Sequence, residues 1–228
     1  LSGLKINCTS KAIQFSVNSQ NLVLKNCEFV GGAAKIFFYG GSDGYLSGNV
    51  TIIDCVIRDF DHWMLGDLNT SSQAQGNSDL GIVRIERNLF TGCTGSFAVR
   101  GQDANPIDAV YYRDNKHVYT TVHASFWNTI ECSSSVAKVV ITGNTSTGMV
   151  KLGSPTGRGF AQVWNNSSTL KGNYTIQLEN NTLDGYDFVL QMALEPGRYA
   201  PNSFDEDFLL TSAAGEITNT SYGATFLW

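Results

Sequence analysis

The sequence predicts an all-β repeat protein in which short strands stack along one axis. Three observations lead to this prediction: apolar and polar residues alternate in short segments, these segments recur at a nearly constant spacing, and a small residue follows each of them. No window keeps a period of 3.6 residues, so helices are not expected. We take residues 1–228 as a single domain that is part of a longer chain.

Each repeat opens with two apolar residues at alternate positions, which is the pattern of a strand with one buried face. In LVLKNCEF these are Leu22 and Leu24, and Cys27 follows three residues after the second. The equivalent position, here the ladder position, is occupied by Cys27, Cys55, Asn88, Asn115, Asn144 and Asn181. A second apolar group follows each ladder position and predicts one or two further strands. Weaker copies lie at 4–10 and 216–228, each shifted by about one residue.

The ladder position predicts a turn whose small side chain points inward and stacks on its equivalents in neighbouring repeats. Asparagine suits such a turn, because its amide bonds to other amides and to the backbone, and because it tolerates a left-handed conformation. Free cysteine behaves as a small apolar residue, so Cys27 and Cys55 are expected to be reduced neighbours one repeat apart. The five cysteines include no CxxC and no Cys/His cluster, so no zinc site is expected.

All-β repeats with a mean spacing of 30.8 residues and one recurring small turn residue resemble the right-handed parallel β-helix proteins. Pectate lyases, other polysaccharide lyases and hydrolases, and phage tailspikes share this fold. The resemblance covers nearly the whole chain but lies at the level of the fold alone. It implies a single-stranded solenoid of about seven to eight coils. A β-propeller is the alternative, but the NG and DG turns of its hairpins are scarce here.

Insertions after the second apolar group of a solenoid repeat emerge on one face, which is often the binding face. The longest insertions are 40–49, 68–80, 100–108, 154–173 and 195–208. They carry Tyr45, Phe160, Trp164, Tyr199 and Phe204. Sugar rings stack on aromatic side chains, so we predict that Tyr111, Trp164 and Tyr199 bind substrate. Packing of these aromatic residues beneath their own loops is the alternative.

The densest charged patch falls on two successive repeats. Its residues are Arg84, Glu86, Tyr111 and Arg113 at outward strand positions, with Arg87, Asp114, Lys116 and His117 at the turns that follow. In polysaccharide lyases of this fold, the resemblance implies a basic residue that takes the proton α to a uronate carboxylate, and cations that neutralise the carboxylate. Arg113, Lys116 or His117 would fill these roles. Glu86 and Asp114 would instead supply the two carboxylates of a glycosidase.

The predicted catalytic residues are therefore Arg84, Glu86, Arg113, Lys116 and His117. A ladder of ion pairs between strands is the alternative, with Arg84 or Arg87 against Asp114 and Glu86 against Arg113. Such a ladder would stabilise the sheet weakly and catalyse nothing. No catalytic motif of a lyase matches residue by residue, so whether the protein is an enzyme stays open.

Two acidic pairs, Asp59/Asp61 and Asp184/Asp187, point weakly to calcium, and no other cofactor is predicted. Nine asparagines begin N-x-[S/T], an excess that fits a glycosylated surface protein. Asn144 is one of them, but its inward ladder position leaves no room for a glycan.

The net charge of −5 argues against a nucleic-acid binder, and no apolar run is long enough for membrane insertion. We expect an extracellular protein, or one at a cell or virion surface, that recognises an acidic polysaccharide and cleaves it in one version of the hypothesis. The rival hypothesis is a non-enzymatic structural or receptor-binding shaft of a fibre, adhesin or viral appendage. Partners would be a polysaccharide and either two further copies in a homotrimer or flanking domains that cap the solenoid ends.

Overall fold

The structure is a computed structural model that describes just over half of the chain in short ranges. These are residues 1–8, 13–15, 19–31, 38–40, 46–60, 80–93, 97–100, 107–120, 128–133, 136, 138–150, 159–164, 175–186, 188–193, 209–212, 217–219 and 226–227. Within them the chain forms β-strands and turns and no helix, and therefore no helix that could cross a membrane.

Three parallel sheets contain all but two of the described strands. The long-strand sheet has the order β20 (Leu209–Ser212), β17 (Thr175–Glu179), β14 (Lys138–Thr142), β11 (Ala109–Arg113), β8 (Leu80–Glu86), β6 (Leu46–Ile53) and β3 (Ser19–Lys25). The short-strand sheet has the order β1 (Lys5–Asn7), β4 (Glu28–Val30), β7 (Val56–Arg58), β9 (Leu89–Thr91), β12 (Lys116–Val118), β15 (Thr145–Thr147), β18 (Asn181–Leu183) and β21 (Ile217–Asn219).

The third sheet has the order β10 (Phe97–Arg100), β13 (Asn128–Ser133), β16 (Gly159–Trp164), β19 (Phe188–Ala193) and β22 (Phe226–Leu227). The remaining strands, β2 (Ile13–Phe15) and β5 (Phe38–Gly40), pair with each other. From β8 onward the chain visits the long-strand sheet, the short-strand sheet and the third sheet in turn, and then returns to the first. The prediction of an all-β protein with parallel strands is confirmed, and this order is compatible with a β-solenoid.

The alternation predicted from the sequence sets the register of the long-strand sheet. Its stacked inward residues are Leu24, Ile52, Ile85, Tyr112, Ile141 and Leu178, all at most 2% exposed. Each aliphatic side chain buried in this way contributes about 1.5–3 kcal/mol. The outward neighbours Val23, Thr51, Arg84, Tyr111, Val140 and Gln177 form a second stack in the same register. The predicted alternation is thus confirmed in the register of this sheet, although outward Val140 is only 2% exposed.

The turn between the two main sheets explains the small residue at the ladder position. The residue before it is left-handed in every described repeat: Asn26, Asp54, Arg87, Asp114, Gly143 and Asn180 have φ between 53° and 69°. The ladder side chain then points inward. Oδ1 of Asn115 accepts from the backbone N–H of Asn88 at 3.0 Å, and its Nδ2 donates to the carbonyl oxygen of Ile85 at 2.8 Å. Asn144 and Asn181 repeat this arrangement, each holding the coil before it.

The cysteines at the ladder position are reduced and buried, as predicted. The backbone N–H of Cys27 lies 3.5 Å from Sγ of Cys55, and that thiol lies 3.7 Å from the carbonyl oxygen of Leu24. These are the same two partners that an asparagine amide meets elsewhere in the ladder, but at longer distances. Asn144 is fully buried, so its N-x-S motif offers no accessible site for a glycan.

Replacing Cys55 with asparagine is therefore expected to stabilise the protein. The new amide would accept from Cys27 N–H and donate to the Leu24 carbonyl oxygen, which adds two well-formed hydrogen bonds in place of weak thiol contacts. We expect the free energy of unfolding to rise by about 1 kcal/mol, measured by denaturant titration. Cys55→Ser serves as the control, because its hydroxyl is too short to reach both partners. A loss of stability in Cys55→Asn would contradict this account of the ladder.

The terminal segments pair differently from the prediction. We expected 4–10 and 216–228 to repeat the first strand of a coil, but β1 pairs with β4 and β21 pairs with β18, so both belong to the short-strand sheet. The carbonyl oxygen of Leu4 accepts from Glu28 N–H at 2.8 Å, as the ladder residues do in later coils. A leucine thus occupies the ladder position of the first coil, which hides the repeat from a search for cysteine or asparagine.

The predicted insertion 154–173 is also wrong in part. Residues 159–164 form β16, and Phe160 is fully buried in the core instead of lying in an exposed loop. The second apolar group after Asn144 was predicted at 150–152; Val150 is 60% exposed, and residues 151 and 152 lie outside the described ranges. Phe160 packs edge-on against Tyr112 and Tyr186. Part of the predicted insertion is therefore a strand that contributes to the core.

Candidate functional site

The outer surface of β8 and β11 brings together four of the predicted site residues: Arg84, Glu86, Tyr111 and Arg113. We call this surface the arginine–tyrosine face. Arg84 lies beside Tyr111 and Glu86 lies beside Arg113 in the parallel register of the two strands. The four side chains share one surface because each stands at an outward position of its strand.

Both guanidinium groups lie over the ring of Tyr111. The Cζ atoms of Arg84 and Arg113 are 4.5 Å and 4.3 Å from the ring centroid. Nη1 of Arg84 donates to Oε1 of Glu86 at 3.4 Å, and Nη1 of Arg113 lies 4.0 Å from the same oxygen. The two arginine side chains are 39% and 36% exposed, so their remaining N–H groups face solvent. Two cations and one carboxylate leave the face with a net charge of +1.

The alternative ion-pair ladder is present in part. Glu86 meets Arg113 as predicted, but Arg87 pairs with Asp54 and not with Asp114. Nε and Nη2 of Arg87 donate to the two carboxylate oxygens at 2.8 Å and 3.2 Å. This hydrogen bond to Arg87 lowers the pKa of Asp54. The pairing follows from the left-handed turns, which stack Arg87 directly on Asp54 in the coil before it.

Lys116 and His117 do not join the face. Lys116 is exposed in β12, between Leu89 and Thr145 of the neighbouring strands, and therefore belongs to the short-strand sheet. The prediction that placed His117 in the turn is wrong, because it lies in β12 and is only 1% exposed. Strand alternation restarts after the turn, so that Lys116 points outward and His117 points into the core.

His117 lies within an aromatic cluster. Its Nε2 is 2.7 Å from the phenol oxygen of Tyr112, and its ring stacks on Phe90 at a centroid distance of 4.7 Å and an interplanar angle of 4°. Burial lowers the pKa of His117 to about 3. The imidazole is therefore neutral and hidden from solvent at neutral pH, and it is not positioned to take a proton from a ligand on the outer surface.

A second buried polar group was not foreseen. The hydroxyls of Tyr119 and Tyr186 each lie 2.7 Å from Oγ1 of Thr129, and Oγ of Ser146 lies 3.0 Å from the Tyr186 hydroxyl. Burial raises the pKa of both tyrosines. Thr129 belongs to the third sheet and Ser146 to the short-strand sheet, so these hydrogen bonds join the two sheets through the core.

The third sheet also carries buried polar side chains that the sequence did not single out. Glu131 and Gln162 are neighbours in the register of β13 and β16, and they are only 6% and 7% exposed. Nδ2 of Asn128 donates to Oε1 of Gln162 at 2.5 Å. Oδ1 of Asn128 is buried and has no hydrogen-bond partner. Polar residues within an apolar strand pattern, as in NTIEC, are the sequence signal that could have predicted these buried polar side chains.

Several predicted residues fall outside the described part. These are Tyr199, Tyr45, Phe204, Asp61 and Asp187, together with the side chain of Trp164. Of the acidic pairs, Asp59 is bound to Nη1 of Arg58 at 2.8 Å, and Asp184 is exposed. Among the residues that the structure describes, no three His, Cys, Asp or Glu side chains are grouped to hold a metal ion.

No protein-family model matches the chain, and comparisons with curated proteins and with solved structures find no match.

Proposed function

We propose that the chain is a right-handed parallel β-helix of about seven to eight coils that binds an acidic polysaccharide through the arginine–tyrosine face. The cyclic visit to three parallel sheets supports a solenoid, and the side-chain ladder supports direct stacking of its coils. Right-handed crossovers are the rule for parallel strands of one sheet. An extracellular location, or one at a cell or virion surface, belongs to the same proposal.

The observation that carries the binding proposal is the pair of guanidinium groups held over Tyr111. Stacking fixes both planes, while the Glu86 carboxylate engages Arg84 and Arg113 from one side. The exposed N–H groups are then preorganised to donate to an anion, and guanidinium is well matched to carboxylate and sulfate. Sugars that carry such groups along a chain would meet the face without further rearrangement of these side chains.

We infer binding in preference to cleavage. His117 is buried, Lys116 stands on another sheet, and an arginine stays protonated in proteins, which leaves Arg113 suited to hold a carboxylate and not to remove a proton. Glu86 is bound by two arginines on this face, so the pair of carboxylates that a glycosidase needs is not evident here. Release of short oligosaccharides from polygalacturonate would overturn this part of the proposal.

The test is the binding of acidic polysaccharides to Arg113→Ala. We expect polygalacturonate and dextran sulfate to bind the wild type at low salt, and Arg113→Ala to weaken binding roughly 10-fold, equivalent to one lost charge-assisted contact. Arg113→Lys should recover little, because an ammonium group neither stacks nor donates as a planar fork. Titration calorimetry provides the measurement.

Lys138→Ala is the matched control, because it removes one exposed positive charge from the next strand of the same sheet, where Val140 and not Lys138 lies opposite Tyr111. An equal loss of affinity in both variants would point to a general charge effect. Neutral dextran should not bind. If none of the acidic polymers binds the wild type, the face is not a polysaccharide site.

A structural shaft is the second candidate, and one observation favours it. Lys5, Glu28 and Arg58 form a chain of ion pairs at 3.0 Å and 2.8 Å across three successive strands of the short-strand sheet, and these pairs link neighbouring strands. This candidate requires a defined homotrimer or filament by light scattering. It also requires that Arg113→Ala leave every interaction of the protein unchanged.

A further inference from the structure

Strand β11 joins the arginine–tyrosine face to the core. Tyr111 and Arg113 point outward, and Tyr112 between them points inward to place its phenol oxygen 2.7 Å from Nε2 of His117. Tyr112 is fully buried. Loss of the contact between Tyr112 and His117 would therefore affect β11, the strand that supplies two of the four residues of the face.

The surroundings of His117 are suited to a neutral ring. Phe90 stacks on one side, Tyr119 lies parallel at 6.0 Å, and Phe160 meets the ring edge-on at 6.3 Å. The residue before it in register on the short-strand sheet is Phe90 and the residue after it is Ser146. No described side chain in this cluster would neutralise an imidazolium.

The titratable groups around the Tyr112–His117 pair are neutral thiols and phenols. They are Tyr112 in β11, Cys93 after β9, Tyr119 after β12, Cys132 in β13 and Tyr186 after β18. The buried carboxylate of β13, Glu131, pairs in register with Ala98 and Gln162, whereas the core residues Ile130 and Cys132 on either side of it pair with Phe97 and Val99. Lys116 points outward from β12.

We propose that the hydrogen bond between Tyr112 and His117 makes the arginine–tyrosine face sensitive to acid: protonation of His117 favours an open state in which β11 separates from its neighbours, and an anionic ligand on the outer side of β11 opposes that opening. The effect of the ligand rests on the proposed function, whereas the acid-induced opening of β11 does not. By linkage, a ligand that prefers the closed state binds less tightly wherever the open state gains population.

The direction follows from the two protonation equilibria. In the closed state burial holds the pKa of His117 at about 3, while an exposed histidine has a pKa of about 6.5. The open state thus binds the extra proton between these values. The closed state has its full stability above a pH of about 6.5 and loses it as the pH falls toward about 3. Between pH 7.5 and pH 4.5 the opening equilibrium constant rises on the order of 100-fold.

Hydrogen exchange measures this opening directly. We expect the protection factors of amides 109–113, corrected for intrinsic exchange rates, to fall on the order of 100-fold from pH 7.5 to pH 4.5 in the wild type. In His117→Phe they should change less than about 3-fold, because phenylalanine keeps the stack on Phe90 and cannot take up a proton. An equal fall in both proteins, or no fall in the wild type, overturns the proposal.

Two further variants guard against a folding defect. The double variant Tyr112→Phe/His117→Phe also removes the phenol oxygen that contacts Nε2 of His117. His117→Gln keeps a neutral acceptor for Tyr112. Either must abolish the pH-dependent fall if protonation of His117 is its cause, and a fall that persists in both folded variants overturns the proposal.

The ligand half is tested with dextran sulfate, whose sulfates stay ionised across this pH range. Dextran sulfate should restore protection of amides 109–113 at pH 4.5 in the wild type, and Arg113→Ala should need a roughly 10-fold higher concentration for the same protection. If it binds without protecting these amides, the coupling is overturned while the acid opening stands. If it fails to bind even at pH 7.5, the proposed function fails, and the exchange data still decide the opening.

Discussion

Asn115→Ala is expected to lower the free energy of unfolding by about 3 kcal/mol, measured by chemical denaturation. The substitution removes the acceptor of Asn88 N–H and the donor to the Ile85 carbonyl oxygen, both in the interior. A buried group that loses its partner costs about 1–3 kcal/mol, because water cannot replace the missing bond. Two such groups and a small cavity account for the expected loss.

Asn49→Ala is the matched control. Oδ1 of Asn49 also accepts from a backbone N–H of the next coil, that of Ile82, at 2.8 Å, but Asn49 is exposed. Water can satisfy the freed N–H there, so we expect a loss of only about 0.5 kcal/mol. Equal losses at the two positions would show that burial of the ladder contributes nothing to its strength.

Gly148→Ala is expected to destabilise by a similar amount for a steric reason. Gly148 has φ of +81°, and a Cβ there would overlap the backbone carbonyl oxygen of Tyr119 in the coil before it. The left-handed conformation costs about 1–2 kcal/mol for an L-residue, and the overlap with backbone raises the total to about 3 kcal/mol. A backbone carbonyl cannot rotate away as a side chain could.

Gly3→Ala separates the two contributions, because Gly3 has φ of +68° and open space where the Cβ would lie. Only the conformational cost of about 1 kcal/mol should remain in this variant. Differential scanning calorimetry would show both losses as shifts of Tm. If Gly148→Ala is no worse than Gly3→Ala, the close approach between coils is not a constraint on this turn.

The sequence was sufficient to predict the sheets and the ladder because both depend on local, repeated constraints. Alternation assigned Arg84, Tyr111 and their neighbours to the outer surface correctly, since one-residue errors would have buried charges. The reduced state of Cys27 and Cys55 followed from their register with Asn88 and its equivalents.

His117 shows what the sequence did not yield. The residue two places after each ladder position points inward: Phe29, Ile57, Phe90, His117, Ser146 and Leu183 form one stack. This residue is apolar in the first three repeats, and that pattern predicted an inward residue at position 117. A histidine next to Lys116 was nevertheless interpreted as part of a charged turn. The hydrogen bond to Tyr112 makes its burial tolerable, and that contact depends on the distance between two sheets.

The partners of Arg87 and Tyr119 were beyond sequence reasoning for a related reason. Which carboxylate Arg87 meets depends on how left-handed turns stack, and Asp54 and Asp114 are equally good candidates in the sequence. Tyr119 and Tyr186 find Thr129 across the core, with separations of 10 and 57 residues along the chain. Such contacts are set by the spacing of sheets, which no local pattern encodes.

The ladder makes the stack of strands directional, and its hydrogen bonds are weakest where cysteine takes the place of asparagine. The side-chain amide of each ladder asparagine donates to a backbone carbonyl oxygen of an earlier strand. A force along the stack would therefore act on these hydrogen bonds. Where Cys55 stands in the ladder, the junction to the coil of Cys27 relies on a thiol at 3.5 Å and 3.7 Å. Under tension along the stack we expect the N-terminal strands, whose ladder residues are Cys27 and Cys55, to separate before those held by asparagine.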